Sequence, residues 1–395
     1  MSSILSREKS SIIRTFYSVI LIELIIGGSG RIFEFGPITL RMIFFIIAIG
    51  ISLLYKTDHK LINHKILFIQ VFFLLLITLA SFIGIINSAD FSLILTDIKP
   101  LLFFFLISFF YIVINDHNDL DHTISLIKKC SIFLSISYLV VIFLLSTKLI
   151  DFLSFYYLAD SGDIMFRTPP FFFYKGFLYL GIGVIFFFTT PGNKNKSISL
   201  FIFIVMCLTL TRGFILMTSI VLIFYIYIIS RNMTIKVIST FIVIFLLIFL
   251  FPVLNELIGD KAESDNFRIH QIKEVFEEIT ILSSIFGHGF GIGVPIRPVH
   301  MEIAYLEIFH KQGIIGFLFW SVLIVDIILM YIRIKKKELK RKILPFILSC
   351  IFIYLQSITN PFLNNPIGLT IIIITYVILI KNDRLVEIKP ISIIQ

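Results

Sequence analysis

The sequence runs to 395 residues, 58% of them hydrophobic and 15% charged, with a formal net charge of +9 and a mean hydropathy of +1.01. Soluble domains carry roughly a quarter charged residues and interrupt their apolar stretches with polar faces, so a water-soluble protein is excluded. No basic patch is interleaved with aromatics on a soluble domain, which excludes a nucleic-acid partner, and the 45 phenylalanines mark a surface that meets lipid.

A short basic stretch precedes the first apolar run, at 12–28. No small-residue cleavage site follows it and further runs do, so it is expected to be a first span and not a removed signal peptide. Runs then come at 38–55, 66–87, 93–114, 130–150, 171–190, 197–211, 213–230, 235–252, 313–332, 343–359 and 366–380. Each is near the roughly 20 residues that cross about 30 Å of hydrocarbon, giving about twelve transmembrane helices. The expected fold is therefore an all-α polytopic integral membrane protein. Only Arg212 separates 197–211 from 213–230, which predicts a broken helix or a tight hairpin. Cys130, Cys207 and Cys350 lie in or beside apolar runs and read as helix residues with no disulfide framework.

Charge in the connections sets the expected orientation. Lys56, Lys60 and Lys65; Lys128 and Lys129; Lys194 and Lys196; Arg231 and Lys236; and the run RIKKKELKRK from Arg333 to Lys342 fall in one alternating set of connections. That set is assigned to the cytoplasm, with both termini. The longest connection on the other side covers 253–312, before the tenth span, and a shorter one covers 151–170. No internal repeat is present, so residues 1–395 are read as one transmembrane domain. Long connections of this kind usually carry function. In 266–283, Ile272, Val275, Phe276, Ile279 and Leu282 recur at helical spacing, with Lys273, Glu274, Glu277 and Glu278 on other faces. This predicts an amphipathic helix at the outer interface.

Three residues on that outer side stand out. Arg212, in LTLTRGFILM, is flanked on both sides by apolar runs; it either snorkels to headgroups or binds an anion in a cavity. Arg268 shares the face of Ile272 and Val275, so it points to lipid phosphate or into the protein. Paired with Arg212 it would suit a pyrophosphate, because guanidinium forks bind phosphate bidentately. His300 is expected to open a helix on which Ala304 and Glu307 share its face; it is a polar loop residue or a proton acceptor. Glu23, Asp97, Lys99 and Asp326 are intramembrane ionisables with structural readings preferred, Glu23 and Asp326 having no evident partner. Asp160, Asp163 and Arg167 are candidates for sugar contact, and Asn360-Pro361 and Asn364-Asn365-Pro366 form a last outer turn with no chemistry assigned. Gly287, Gly289, Gly291 and Gly293 make a flexible turn but no P-loop, and neither a metal-ligand spacing nor a nucleotide motif occurs.

Thr211-Arg212-Gly213 at a span end, Asn266-Phe267-Arg268 in the long outer loop, Gly287-His288-Gly289-Phe290-Gly291, His300, Tyr305-Leu306 and Gly313-Ile314-Ile315-Gly316 together resemble the superfamily of O-antigen polymerases (Wzy) and O-antigen ligases (WaaL). The segment 27–41, GGSGRIFEFGPITLR, also resembles such polymerases. Met301 follows His300 where the family often has asparagine. The resemblance implies a GT-C-like multispan glycosyltransferase acting at the periplasmic face of the bacterial inner membrane on glycans carried by undecaprenyl pyrophosphate, with no metal and no other cofactor. It implies catalytic roles for His300, Arg212 and Arg268, and substrate binding by Arg212, Arg268, Glu307 and Arg31. A polymerase moves the growing glycan onto the next lipid-linked repeat; a ligase moves it onto lipid A-core. The polymerase is the preferred reading, the ligase the first alternative, and a lipid-linked oligosaccharide flippase or other transporter the alternative of another class, disfavoured by the lack of internal symmetry. Expected partners are the lipid-linked oligosaccharide and the bilayer, with a chain-length regulator and a flippase as candidates.

Overall fold

Hydrocarbon supplies no water to the backbone, so a spanning chain must satisfy its own amides, and the helix does so locally. A computed structural model of the chain describes residues 2–28, 30, 34–35, 38–55, 63–159, 164–258, 262–382 and 385. Arg31, Lys56, Lys60, Asp160 and Asp163 lie outside the described residues.

The first half of the chain forms α1 (Ser2–Ile26), β1 (Glu34–Phe35), β2 (Ile38–Thr39), α2 (Leu40–Tyr55), α3 (His64–Ile86), α4 (Phe91–Leu102), α5 (Leu106–Val113), α6 (His117–Ser146) and α7 (Phe152–Ala159). It continues with β3 (Ile164–Phe166), β4 (Phe172–Tyr174), α8 (Leu178–Thr189), α9 (Asn193–Leu208), α10 (Arg212–Ile229) and α11 (Met233–Ile258). The last third holds α12 (Ala262–Glu278), α13 (Ile281–Phe286), α14 (Ala304–Ile332), α15 (Lys337–Gln356) and α16 (Pro366–Ile380). The strands make two small antiparallel hairpins, pairing Glu34 with Thr39 and Ile164 with Tyr174.

The apolar runs fall largely on these helices, but 93–114 is divided between α4 and α5, and 171–190 begins on β4 before entering α8. Among the described residues, α3, the continuous segment Phe91–Val113, α6, α10 and α14 are long and apolar enough to cross a membrane by length and composition. Leu40–Leu54, Lys175–Thr189, Met233–Phe245 and Pro366–Ile380 are shorter apolar helices. The protein is an all-α, multi-pass membrane protein. Pro100 lies inside α4; it lacks the amide that would bond four residues back, and the ladder passes through a 3-10 turn at Phe103–Phe105 before α5 resumes it.

A helix that is apolar all round must be enclosed by others. That describes α16, buried from Pro366 to Leu379, and α8, buried at every position except Phe188. Around them pack α5, α6, α9, α10, α14 and α15. The periphery presents Phe68, Leu75, Phe143, Phe241 and Val322 outward, as a lipid-facing surface does.

Two expectations need correction, and one open alternative is decided. The predicted amphipathic helix is two helices: α12 ends at Glu278, and Thr280 and Ser283 form a capping box that starts α13. Those hydroxyls give the backbone an alternative to continuing the first helix. Its apolar residues do not share one environment either, since Val275 is buried against Val294 and Met301 while Phe276 and Leu282 are exposed. Glu23 and Asp326 do have partners. Arg41 Nε donates to Glu23 at 3.0 and 2.9 Å, while Lys65 Nζ and Tyr376 Oη donate to Asp326 at 2.8 and 2.9 Å. Between α9 and α10 the structure selects the tight hairpin. Leu210 takes a left-handed φ of 53°, and the two helices pack on each other, with Thr218 Oγ1 3.6 Å from Met206 Sδ.

Candidate active site

Glu307 and Lys311 lie one turn apart on α14, so they share a face. The Lys311 ammonium is 2% exposed and spends its three N–H groups on Asp97 Oδ1 at 2.7 Å, Glu307 Oε1 at 2.9 Å and the Val299 carbonyl at 2.7 Å. The remaining carboxylate oxygens are also engaged. Gly291 N donates to Asp97 Oδ2 at 2.8 Å and Asn364 Nδ2 to Glu307 Oε2 at 2.9 Å. His300 stands at the edge of this cluster, half exposed, with Nδ1 3.3 Å from Glu307 Oε1 and 3.5 Å from Asp97 Oδ1.

His300 is not on the helix, as its spacing predicted. It lies in the irregular, bending stretch before α14, which starts at Ala304 after an Ile303 cap. The contact with Glu307 is made nonetheless, across bends on either side of His300.

The glycine-rich segment brings the parts together. It passes between α3 and α14, with His288 N bonded to His310 O, Gly289 N to Lys311 O and Phe290 N to Ala80 O. The approach is close enough that a Cβ on Gly289 would overlap the amide nitrogen of Gly84, and one on Gly313 the carbonyl of Ile285. Both glycines also take left-handed φ, +92° and +62°, which side chains disfavour. Their smallness is what lets Gly291 reach Asp97.

Asp97, His300 and Glu307 are the described residues that would serve as a metal triad, with ligand atoms within 4.8 Å of one another. The two oxygens facing its centre, Asp97 Oδ1 and Glu307 Oε1, both hold Lys311 Nζ. The positive charge at that point is the lysine's own.

A second set of cations borders this cluster. Arg212 is the first residue of α10, at the positive end of the helix dipole. Its neighbour Gly213 lies against Gln356 and Thr359 at the end of α15, and the Ser357 carbonyl there accepts from Ala304 N. One turn thus connects the arginine-bearing helix end to the start of α14. Arg268, 31% exposed, turns into the protein and pairs through Nε with Glu302 Oε2 at 3.0 Å, while Arg297 Nη2 binds Glu302 Oε1 at 2.5 Å. Arg167, just past β3, is a third member. Burial first, then the charges of Arg212 and Arg268, hold its pKa below the usual arginine value. Its Nε is buried without a hydrogen-bond partner among the described residues. Three guanidiniums close enough for Arg212 and Arg268 to act on the charge of Arg167 suit a ligand with several negative charges.

Sequence reasoning found Arg212, Arg268, His300 and Glu307. It placed Arg167 with sugar contacts, passed over Lys311, gave Asn364 no chemistry and ranked Asp97 as structural. Lys99, two residues from Asp97, is exposed and belongs to no part of the cluster.

No family model matches the sequence. Among curated proteins it is similar to an O-antigen polymerase of Shigella flexneri, 28% identical over 387 residues, which cover 95% of this chain and 97% of that protein. From end to end, then, the chain resembles the O-antigen polymerase (Wzy) family.

Proposed function

We propose that the protein is a polysaccharide repeat-unit polymerase, transferring a growing glycan from undecaprenyl pyrophosphate to the next lipid-linked repeat at the periplasmic face of the inner membrane. The observation that carries this reading is the end-to-end similarity to a protein named O-antigen polymerase. The site supplies groups for each part of the chemistry. As the anomeric carbon–oxygen bond to pyrophosphate breaks, negative charge grows on the leaving group, and Arg212, Arg268 and Arg167 meet it. The acceptor hydroxyl oxygen forms the new bond to the anomeric carbon, and its proton passes to His300. With Nδ1 set against Glu307 and Asp97, Nε2 is the nitrogen left to take it. The carboxylates then stabilise the imidazolium that results. The reading needs no metal and no nucleotide sugar.

Arg212→Ala, Arg268→Ala and His300→Ala are each expected to abolish polymer while the protein still inserts, scored by surface-polysaccharide gels of a deletion strain carrying each variant. Normal polymer from any one of them removes that residue from the mechanism. The deletion strain itself tests the reaction. Lipid A-core capped with a single repeat is the expected pattern. Bare core with lipid-linked polymer would instead make the protein a ligase, and lipid-linked single repeats held on the cytoplasmic face would make it a flippase.

A further inference from the structure

A lysine buried among apolar helices marks a functional site by default, and the transfer chemistry above makes no use of Lys311. Its surroundings say what it does. Asp97 arrives from α4, 214 residues away in sequence, and Glu307 from one turn earlier on α14. Two carboxylates with oxygens on one ammonium would repel each other without it. Those same two oxygens are the ones nearest His300 Nδ1. The charges facing the histidine are therefore two negative and one positive, a net of one negative.

We propose that Lys311 is a positioning residue for His300: bound to Asp97 Oδ1, Glu307 Oε1 and the Val299 carbonyl, it fixes both carboxylates and reduces them to a single net negative charge against Nδ1. The tie to Val299, the residue before His300, also anchors the segment that carries the ring. Asp97 is then the link that carries the glycine-rich segment's position, through Gly291 N, to the same point. This inference rests on the reading of His300 as proton acceptor.

Charge arithmetic supplies a test that a packing role would fail. Lys311→Met leaves two carboxylates opposite His300 with no counter-charge to fix them; Asp97→Asn leaves no net charge; the double variant Lys311→Met/Asp97→Asn restores one negative. Activity is read as chain elongation by the purified protein in nanodiscs, using lipid-linked single repeats extracted from the deletion strain. Since general base catalysis contributes about 100- to 10,000-fold, Lys311→Met is expected to lower the maximal rate by about tenfold or more. The apparent KM for the lipid-linked repeat should stay unchanged, and the double variant should be faster than either single one. A double variant no faster than Lys311→Met, or a Lys311→Met protein at the wild-type rate, overturns the proposal. If Lys311→Met fails to insert, the double variant still decides, because the proposal requires it to insert and elongate. His300→Ala runs alongside. Full activity there defeats the polymerase mechanism, whereas an inactive His300→Ala beside a fully active Lys311→Met defeats the role of Lys311 alone.

Discussion

Guanidiniums placed together repel one another, and an anion that binds among them relieves part of that cost. Arg167 shows it most clearly, since burial and the charges of Arg212 and Arg268 all disfavour its charged form. An anion that binds the folded protein stabilises it by mass action, about 2.7 kcal/mol at a concentration a hundred times Kd. Millimolar inorganic pyrophosphate is therefore expected to raise the melting temperature of the detergent-solubilised protein. In Arg167→Leu the unliganded protein should melt no lower than wild type, because one of three like charges is gone, and the pyrophosphate shift should shrink. A lower melting point together with an undiminished shift would remove Arg167 from the anion site. Arg212 was legible in the sequence because a charge flanked by apolar runs is costly and therefore informative, and Arg268 because it shares a helix face with Ile272 and Val275. Lys311, Asn364 and the role of Asp97 were not. Each is defined by a contact with a residue far along the chain, and neither helical periodicity nor loop length carries that information.

At the scale of elements, the glycine-rich segment is a spacer that lets two helices approach through it. A methyl group on Gly289 would strike the backbone of α3 and would demand a left-handed φ from a residue with a side chain. Overpacking costs about 1–3 kcal/mol and the left-handed backbone about 1–2 kcal/mol more. Gly289→Ala should thus destabilise by at least about 2 kcal/mol and lose polymer, through loss of the Gly291–Asp97 hydrogen bond. Gly50, on α2, has open space where its Cβ would go, and Gly50→Ala should leave both melting temperature and polymer at wild-type levels or slightly above, as helix propensity favours alanine. Thermal unfolding in detergent separates the two, and equal behaviour would deny the segment its spacing role. The sequence marked this stretch as a turn ending a helix. It could not mark the close passage, since only the neighbours it threads between make glycine necessary. The single amphipathic helix failed for a related reason: its apolar period continues across Ile279 and Thr280, but local capping by Thr280 and Ser283 decides where the backbone turns.

Viewed across the whole molecule, the helices divide their ends between two kinds of chemistry. α3 runs from Lys65 to Gly84 beside the glycine segment, α15 from its basic start at Lys337 to Ser357 beside Ala304, and α9 from Lys194 to the turn before Arg212. α10 and α14 run the other way, from Arg212 to Arg231 and from Glu307 to the lysines after Arg333. Every one of these helices thus carries the candidate site, or the turn leading into it, at one end and a basic connection at the other. Basic connections are retained in the cytoplasm during insertion, so the proposed function requires the site on the opposite face, where a lipid-linked repeat would meet it after translocation. The separation of basic connections from the site-bearing ends was legible from the sequence as alternating charge, because charge is read residue by residue and needs no knowledge of packing; the face each end takes is an expectation from that charge. It leads to a labelling result. Glu277 on α12 is 63% exposed, and Asn193, at the start of α9, is exposed beside Lys194. Glu277→Cys should react with a membrane-impermeant maleimide on intact spheroplasts, and Asn193→Cys only after permeabilisation. Cys130 and Cys350 are buried, and a variant lacking Cys207 removes the remaining background. Reaction of Asn193→Cys from outside, with Glu277→Cys protected, would invert the chain. The three arginines and His300 would then face the cytoplasm, and the periplasmic polymerase reading would fail with them.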